Sequence, residues 1–303
     1  IASGLTAANY NLVIAPGAIT INTLQNPSSA TATATGQTTI DVATANTDFV
    51  MIVRHTADTW TAPTQGTAYS AGNSLGSGVV RYVGAAGTFN DTGLTAGTTY
   101  YYKVYTEYYS RYSTGAATTS ATTAGVPTIS TSGSLAAMSN TYGTASGSSS
   151  VSVTGSNLTA NITVAAVTGL QFSTDNSTWG STASFTQSGG SVNGTLYVRL
   201  AATAAAGNYN STAITLSSTG ASNATVNTAS TGNTVSKKSL GISVVGQSIT
   251  YGFPATNNAA KNWNTSVVAA GSYSVNGSDL VNGDGPTVVT GTPTYTTTYV
   301  QGD

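Results

Sequence analysis

The sequence predicts an all-β protein, a tandem of β-sandwiches. Apolar and polar residues alternate with a period of two along most of the 303-residue chain, as they do in strands with one buried face. Turn-forming clusters of Gly, Pro and Asn recur about every 8–12 residues, a spacing typical of sandwiches. Threonine, which favours strands, is abundant. The length leaves room for about two or three domains.

The composition argues against several classes of function. Only 6% of the residues are charged and the net charge is −1, so we expect no basic patch for nucleic acid. No apolar run approaches the ~18 residues of a membrane span. Cysteine is absent, which excludes disulfides and thiolate metal sites. A neutral, threonine-rich chain that begins at Ile1 is expected to be a mature or excised piece of an extracellular or cell-surface protein of a prokaryote.

Residues 1–23 are predicted to form a hairpin, because a turn at Pro16 and Gly17 separates two alternating runs. The apolar positions of these runs are Tyr10, Leu12, Ile14, Ile19 and Ile21. Such a hairpin is marginal in water by itself. The spacing of residues 4–12 and 16–21 resembles the closing end of the MBG-type repeat of bacterial surface proteins.

Residues 24–124 are predicted to form a sandwich around a tyrosine-rich strand that begins at Tyr100. The even positions 100–108 are predicted to face the core, and positions 101, 103, 105, 107 and 111 to face solvent. The spacing of Leu94, Gly97 and Tyr100 resembles the tyrosine corner of fibronectin type III domains. The resemblance implies that the hydroxyl of Tyr100 ties an inter-sheet loop to the strand.

Residues 125–236 are predicted to form a second sandwich, and its first residues belong to a short linker at 124–127. Alternating runs occur at 151–153, 162–164, 170–172, 183–185, 196–200 and 213–216. The run from Val198 to Leu200, followed by the Ala-Ala-Gly-x-Tyr pattern that ends at Tyr209, resembles an immunoglobulin-like domain of secreted bacterial proteins. Residues 201–206 favour helix by composition but are too few to form a stable helix alone.

Residues 237–303 contain the apolar alternation Leu240, Ile242, Val244 and then Ile249 and Tyr251. Gly252, which follows Tyr251, and the sequence Asn-Gly-Asp at 282–284 resemble the opening of an MBG repeat of the Tyr-Gly type. We expect the chain to stop before the closing strands of this domain. Residues 1–23 resemble those missing strands.

An unpaired apolar edge is a template for a strand from another chain. We therefore expect copies to associate head-to-tail, the hairpin of one completing the C-terminal domain of the next. The predicted contact residues are Tyr10, Leu12, Ile14, Ile19, Ile21, Leu240, Ile242, Val244, Ile249 and Tyr251. Two versions are open: separate subunits, or one period of a longer tandem polypeptide.

Candidate catalytic chemistry is sparse, and we expect no enzyme activity, catalytic residue, cofactor or metal site. His55 is the only histidine and Glu107 the only glutamate, whereas triads and paired carboxylates need partners for such groups. His55 is expected in a surface loop after the strand that ends at Arg54. The oxygen-rich stretch 276–284 has two interpretations, a calcium site or a set of turns.

Asn-x-Ser/Thr sequons are frequent and matter only if the host glycosylates the protein. They occur at Asn90, Asn157, Asn161, Asn176, Asn193, Asn210, Asn223, Asn264 and Asn276.

Two functions fit this sequence. One is structural: a filament, sheath or stalk unit whose partners are copies of itself. The other is an adhesin or carbohydrate-binding segment of a larger secreted protein, with surface glycans as partners. The fold does not decide between them, but an exposed aromatic platform favours binding and end-to-end contacts favour a filament.

Overall fold

A computed structural model describes residues 24–45, 48–244, 273–291 and 293. Within these residues the ordered elements are 22 strands and two single-turn 3-10 helices. The chain forms two compact units, with unit 1 ending at Val126 and unit 2 beginning at Pro127. The prediction of an all-β tandem of sandwiches is confirmed. No helix in the described part of the chain is long and apolar enough to cross a membrane.

Unit 1 is a sandwich of two antiparallel sheets. Its strands are β1 (Ala30–Ala34), β2 (Thr39–Thr44), β3 (Phe49–His55), β4 (Ser74–Leu75), β5 (Gly78–Ala85), β6 (Thr88–Thr92), β7 (Thr99–Tyr108), β8 (Arg111–Tyr112) and β9 (Ala117–Thr122). One sheet has the order β1-β2-β6. The other has the order β4-β5-β3-β7, with β9 paired to the first half of β7 and β8 to its end.

The core of unit 1 lies between these sheets, where apolar side chains at alternate positions meet. Ile40 and Val42 of β2 face Val50 and Ile52 of β3, and the tyrosine-rich strand β7 adds its residues at positions 100, 102 and 104. These three positions were predicted to face the core, and all are buried. Tyr108 was predicted to face the core as well, but it is 57% exposed because the end of β7 extends into a hairpin.

The outer face of the larger sheet is also covered, which corrects the prediction that it is solvated. Met51, Val53 and Tyr105 form a second apolar cluster there with Tyr112, and Trp60 packs against it. Lys103 places its ammonium 5.8 Å from the ring centres of both Trp60 and Tyr105. The segment between β3 and β4 supplies Trp60 and therefore buries a face that alternation alone assigned to water.

Unit 2 contains the remaining strands. They are β10 (Thr128–Ser132), β11 (Ser139–Thr141), β12 (Ser149–Ser156), β13 (Ile162–Val164), β14 (Leu170–Ser173), β15 (Ala183–Phe185), β16 (Val192–Leu200), β17 (Gly207–Asn208), β18 (Ala213–Ser217), β19 (Ala224–Asn227), β20 (Thr234–Ser236), β21 (Ile242–Val244) and β22 (Tyr273–Val275). The main sheets have the orders β10-β12-β16-β14 and β15-β13-β18-β19. A small sheet, β11-β20-β17, and the pair β21-β22 complete the described strands.

The core of unit 2 is apolar throughout its centre. Phe172, Leu196, Val198, Ile214 and Leu216 are all essentially inaccessible to solvent. They come from β14, β16 and β18, so the alternation predicted for these runs places them between the two sheets. Residues 201–206 form a turn after β16 rather than helix.

Candidate functional site: a polar node, an aromatic tip and a C-terminal strand pair

A buried carboxylate, Asp91, joins the two sheets of unit 1. It lies on β6 and is fully buried. The Nη1 atom of Arg54, on β3, donates to both carboxylate oxygens at 3.1 Å. Nε of Arg81, on β5, donates to Oδ1 at 2.8 Å, and the hydroxyl of Tyr102 donates to Oδ2 at 2.9 Å. We call these four side chains the Asp91 node.

The Asp91 node satisfies the requirement that a buried charge be paired and hydrogen-bonded. Both arginines keep part of their surface in water, with side-chain exposures of 20% for Arg54 and 28% for Arg81. Burial, together with the negative charge of Asp91 and the hydrogen bond to it, raises the pKa of Tyr102 well above its usual value of 10.0. Tyr102 therefore stays protonated as a donor to Asp91.

Tyr100, the predicted corner residue, is buried at the start of β7. Its hydroxyl accepts a hydrogen bond from the backbone N–H of Thr95 at 2.9 Å. Thr95 lies in the connection from β6, in the first sheet, to β7, in the second. The guanidinium of Arg54 lies 5.2 Å from the centre of the Tyr100 ring. The effect of this bond on stability stays a prediction.

His55 is the last residue of β3 and only 9% exposed, so the expectation of a surface loop was wrong. Its Nδ1 atom accepts the backbone N–H of Ala57 at 2.7 Å. In the neutral ring the proton is then on Nε2, which donates to Oγ of Ser77 at 2.5 Å. A histidine that acts as a base toward a serine needs an unprotonated nitrogen facing the hydroxyl, which is the opposite tautomer. In the present tautomer the hydrogen bond between His55 and Ser77 instead links the end of β3 to the start of β5.

Three aromatic side chains are exposed at one end of unit 1. Tyr108 and Tyr109 lie at the hairpin between β7 and β8, with exposures of 57% and 83%, and Phe49 at the start of β3 is 54% exposed. The rings of Tyr108 and Tyr109 are 4.6 Å apart and nearly perpendicular. Together with Glu107, the three aromatics line an open hollow of about 350 Å³. We call these four residues the aromatic tip.

The C-terminal strand pair of unit 2 is poorly covered. β21 pairs with β22 in the register Ile242↔Val275 to Val244↔Tyr273. All three residues of β21 are exposed, Ile242 at 48% and Val244 at 54%. Among the strands that the structure describes, β21 has no partner besides β22. A two-stranded ribbon with apolar side chains in water is a marginal structure.

The predicted contact residues fall only partly within the described chain. Leu240 is half-buried, and Ile242 and Val244 are exposed on β21. The others lie outside the described residues: Tyr10, Leu12, Ile14, Ile19, Ile21, Ile249 and Tyr251.

The oxygen-rich loop after β22 uses its side chains to hold backbone. Oδ1 of Asn276 accepts the N–H of Ser278 at 3.3 Å, and Oδ2 of Asp279 accepts the N–H of Gly241 at 3.0 Å. Asn282 donates to the carbonyl of Ala202 at 3.0 Å. Within the described ranges, no three His, Cys, Asp or Glu residues lie close enough to hold a metal ion. These contacts are those expected of the turn interpretation.

The sequons lie mostly at the surface. Seven asparagines are exposed: Asn90, Asn157, Asn161, Asn176, Asn193, Asn223 and Asn276. Asn210 is half-buried and its Oδ1 accepts the backbone N–H of Asn233 at 2.9 Å. Asn264 lies outside the described residues. Glycosylation stays a prediction.

No family model and no curated protein matches this chain. Among solved structures, the chicken CNTN1 FN1–FN3 domains align with 73% of this chain and 72% of their own, at 10% identity and a TM-score of 0.25. Similarity at that level does not bear on function.

Sequence reasoning missed the Asp91 node and the aromatic tip. The partners of Asp91 are 37, 10 and 11 residues away in sequence, so no short motif contains them. A signal for the node was available, because an aspartate inside an alternating strand of a chain with 6% charge needs a partner. A signal for the tip was the pair Tyr109 and Ser110, where the alternation of β7 breaks.

Proposed function

We propose that this protein is an extracellular structural protein of a prokaryotic surface, whose copies form a head-to-tail fibre by strand addition. The exposed strand β21 carries this proposal. Its apolar side chains Ile242 and Val244 are about half exposed, and a further strand beside β21 would bury them while pairing the edge of β21 that faces away from β22, an edge without a partner among the described strands. The alternative, an adhesin segment, needs no such edge.

The added strand in this proposal comes from residues 1–23 of another copy. That stretch alternates Tyr10, Leu12 and Ile14 on one side of a turn and Ile19 and Ile21 on the other. An edge at one end of the chain and a complementary hairpin at the other make a heterologous contact, which propagates as an open fibre. The MBG-like spacing of the two end segments supports their origin as halves of one domain.

The low charge of the chain is consistent with this role. With 6% charged residues and a net charge of −1, little electrostatic repulsion opposes close packing of copies. The proposal includes no enzyme activity: His55 and Ser77 are tied to each other, and the carboxylate of Asp91 is occupied by three donors.

Negative-stain electron microscopy of three variants tests the proposal. Deletion of residues 1–23, and the double substitution Ile242→Lys with Val244→Lys, should each abolish fibres, since one removes the donor and the other places charges on the acceptor edge. Val288→Lys is the matched control, because Val288 is 51% exposed but lies on a 3-10 helix rather than on the edge strand. It should leave fibres intact.

Fibres formed by the deletion variant, or a parent chain that is a stable monomer, would refute strand addition. Native material distinguishes the two versions of assembly. Separate subunits run near 30.2 kDa in denaturant, whereas a tandem polypeptide stays far larger.

A further inference from the structure

The turn between β7 and β8 carries residues that rarely occupy such a turn. Tyr109 and Ser110 are its two central residues and both have positive φ, 46° and 60°. Turns of this kind normally use Asn-Gly, because side chains with a Cβ disfavour the left-handed region. A tyrosine at such a position is strained, and strain of this sort tends to persist where it serves a function. At this position Tyr109 is 83% exposed.

The rings of the aromatic tip line an open hollow and do not enclose it as a cage. Tyr108 and Tyr109 stand at 87° to each other, edge to face, and Phe49 lines the same hollow of about 350 Å³. Aromatic faces of this kind bind flat apolar surfaces without the need for deep burial.

Polar groups beside the three aromatic rings are available to accept hydrogen bonds from a ligand and to donate them to it. Oε1 of Glu107 accepts the N–H of Ser110 at 2.8 Å, which fixes the carboxylate against the turn. A carboxylate has about four acceptor sites, so Glu107 retains acceptor capacity for ligand hydroxyls. Arg111 is exposed and lies directly across the hairpin from Tyr108, so its donor groups are on the same face of the ribbon as Tyr108.

We propose that the aromatic tip is a binding site for a neutral saccharide, with a sugar ring stacked on Tyr109 or Tyr108 and its hydroxyls bonded to Glu107. An alkylammonium ligand fits less well, because it needs rings on several sides and Arg111 would repel it. An anionic membrane surface fits less well too, because such surfaces attract clusters of basic residues and the residues that line this hollow are three aromatics and the acidic Glu107. The proposal is independent of the fibre, which uses residues of unit 2 and residues 1–23.

Saturation-transfer NMR on the full chain tests this site. The probes are linear hexamers of β-1,4-glucose, of N-acetylglucosamine and of mannose, together with phosphatidylglycerol vesicles in a co-sedimentation arm. At least one hexamer should receive saturation from the aromatic protons. Tyr109→Asn should weaken its binding at least tenfold, while Tyr109→Phe, which keeps the ring, should bind within a factor of about three of the parent.

Two features make the test decisive. Asparagine tolerates positive φ, so Tyr109→Asn should melt no lower than the parent, and its loss of binding then reflects the missing ring. Tyr197→Ser, at a half-buried position in unit 2, is the control and should bind as the parent does. The proposal is overturned if no hexamer binds, if Tyr109→Asn binds like the parent, if both variants lose binding equally, or if only vesicles or other copies of the chain contact the tip.

Discussion

The two units reach similar sandwiches with cores of different chemistry. Unit 1 buries a carboxylate, Asp91, and closes it with two arginines and a tyrosine from the opposite sheet. The buried polar side chains described for unit 2 are neutral, such as Ser146 and Asn233, and bond mainly to backbone near the ends of strands. One composition therefore supports two ways to fix a pair of sheets, one by charge pairing and the other by packing.

The largest change in the free energy of unfolding is expected when the carboxylate of Asp91 is removed. Asp91→Ala should destabilise unit 1 by about 3–5 kcal/mol, because it leaves two arginines facing the interior without a partner. Unfolding followed by hydrogen exchange, resolved by segment, measures each unit separately. Unit 2 should keep its protection.

Asp41→Ala is the matched control for Asp91. Asp41 lies on the neighbouring strand and accepts a hydrogen bond from Asn90 at the surface, so its loss should change stability by about 0.5 kcal/mol or less. Equal effects of the two substitutions would contradict the role assigned to the Asp91 node.

A substitution in the core of unit 2 tests whether the two cores are independent from the other direction. Leu196→Ala removes a fully buried side chain from β16 and should destabilise unit 2 by about 2–5 kcal/mol. Urea unfolding with the same segment-resolved exchange should show unit 1 unchanged. Loss of protection in both units would show that the two cores are not independent.

Tyr102→Phe should change how the stability of unit 1 depends on pH. It removes a hydrogen bond to a charged group and should destabilise unit 1 by about 1.5–3 kcal/mol near neutral pH. The pKa of Tyr102 is raised in the folded state, chiefly by burial. The stability from its protonated form is therefore full below the pKa of an unfolded tyrosine, about 10, and is lost as pH rises above it.

Denaturation of the Tyr102→Phe variant at a series of pH values measures that effect. Between about pH 9 and pH 11 the parent should lose more stability than the variant. Parallel curves would mean that Tyr102 does not contribute to the alkaline sensitivity of unit 1.

The smallest effect is expected at Tyr100. Tyr100→Phe removes the hydrogen bond from Thr95 N–H and should cost about 1 kcal/mol, a fall in Tm of about 4–8 °C for a domain of this size. Tyr101→Phe, at the next, half-buried position of β7, should do little in the same thermal melt. A fall of equal size for both variants would reject the corner role.

The strands were largely predictable because alternation reports which face of a strand is buried. Ile40, Val42, Leu196 and Ile214 all lie at alternating positions and all are in cores. The covered outer face of unit 1 was not predictable, because the cluster that contains Tyr105 is packed against by Trp60, which comes from a segment without regular structure. Alternation shows that two faces differ but not what a distant loop places over one of them.

The candidate sites were less predictable than the strands. The Asp91 node depends on contacts between β6 and three strands of the opposite sheet, and the aromatic tip depends on the φ angles of two turn residues. In each case the sequence shows the residue types, but only the paired sheets bring them together. Strand β21 was easier to predict from the sequence, because its signal, the alternation of Ile242 and Val244, lies within one short stretch.

A mixing experiment tests strand addition most directly. The Ile242→Lys, Val244→Lys chain keeps its donor hairpin but has a blocked acceptor edge, and the chain without residues 1–23 has the reverse. Mass photometry should find each variant monomeric alone and a 1:1 heterodimer, with no longer species, when the two are mixed. No heterodimer on mixing, or self-assembly by either variant alone, would contradict the proposed head-to-tail assembly.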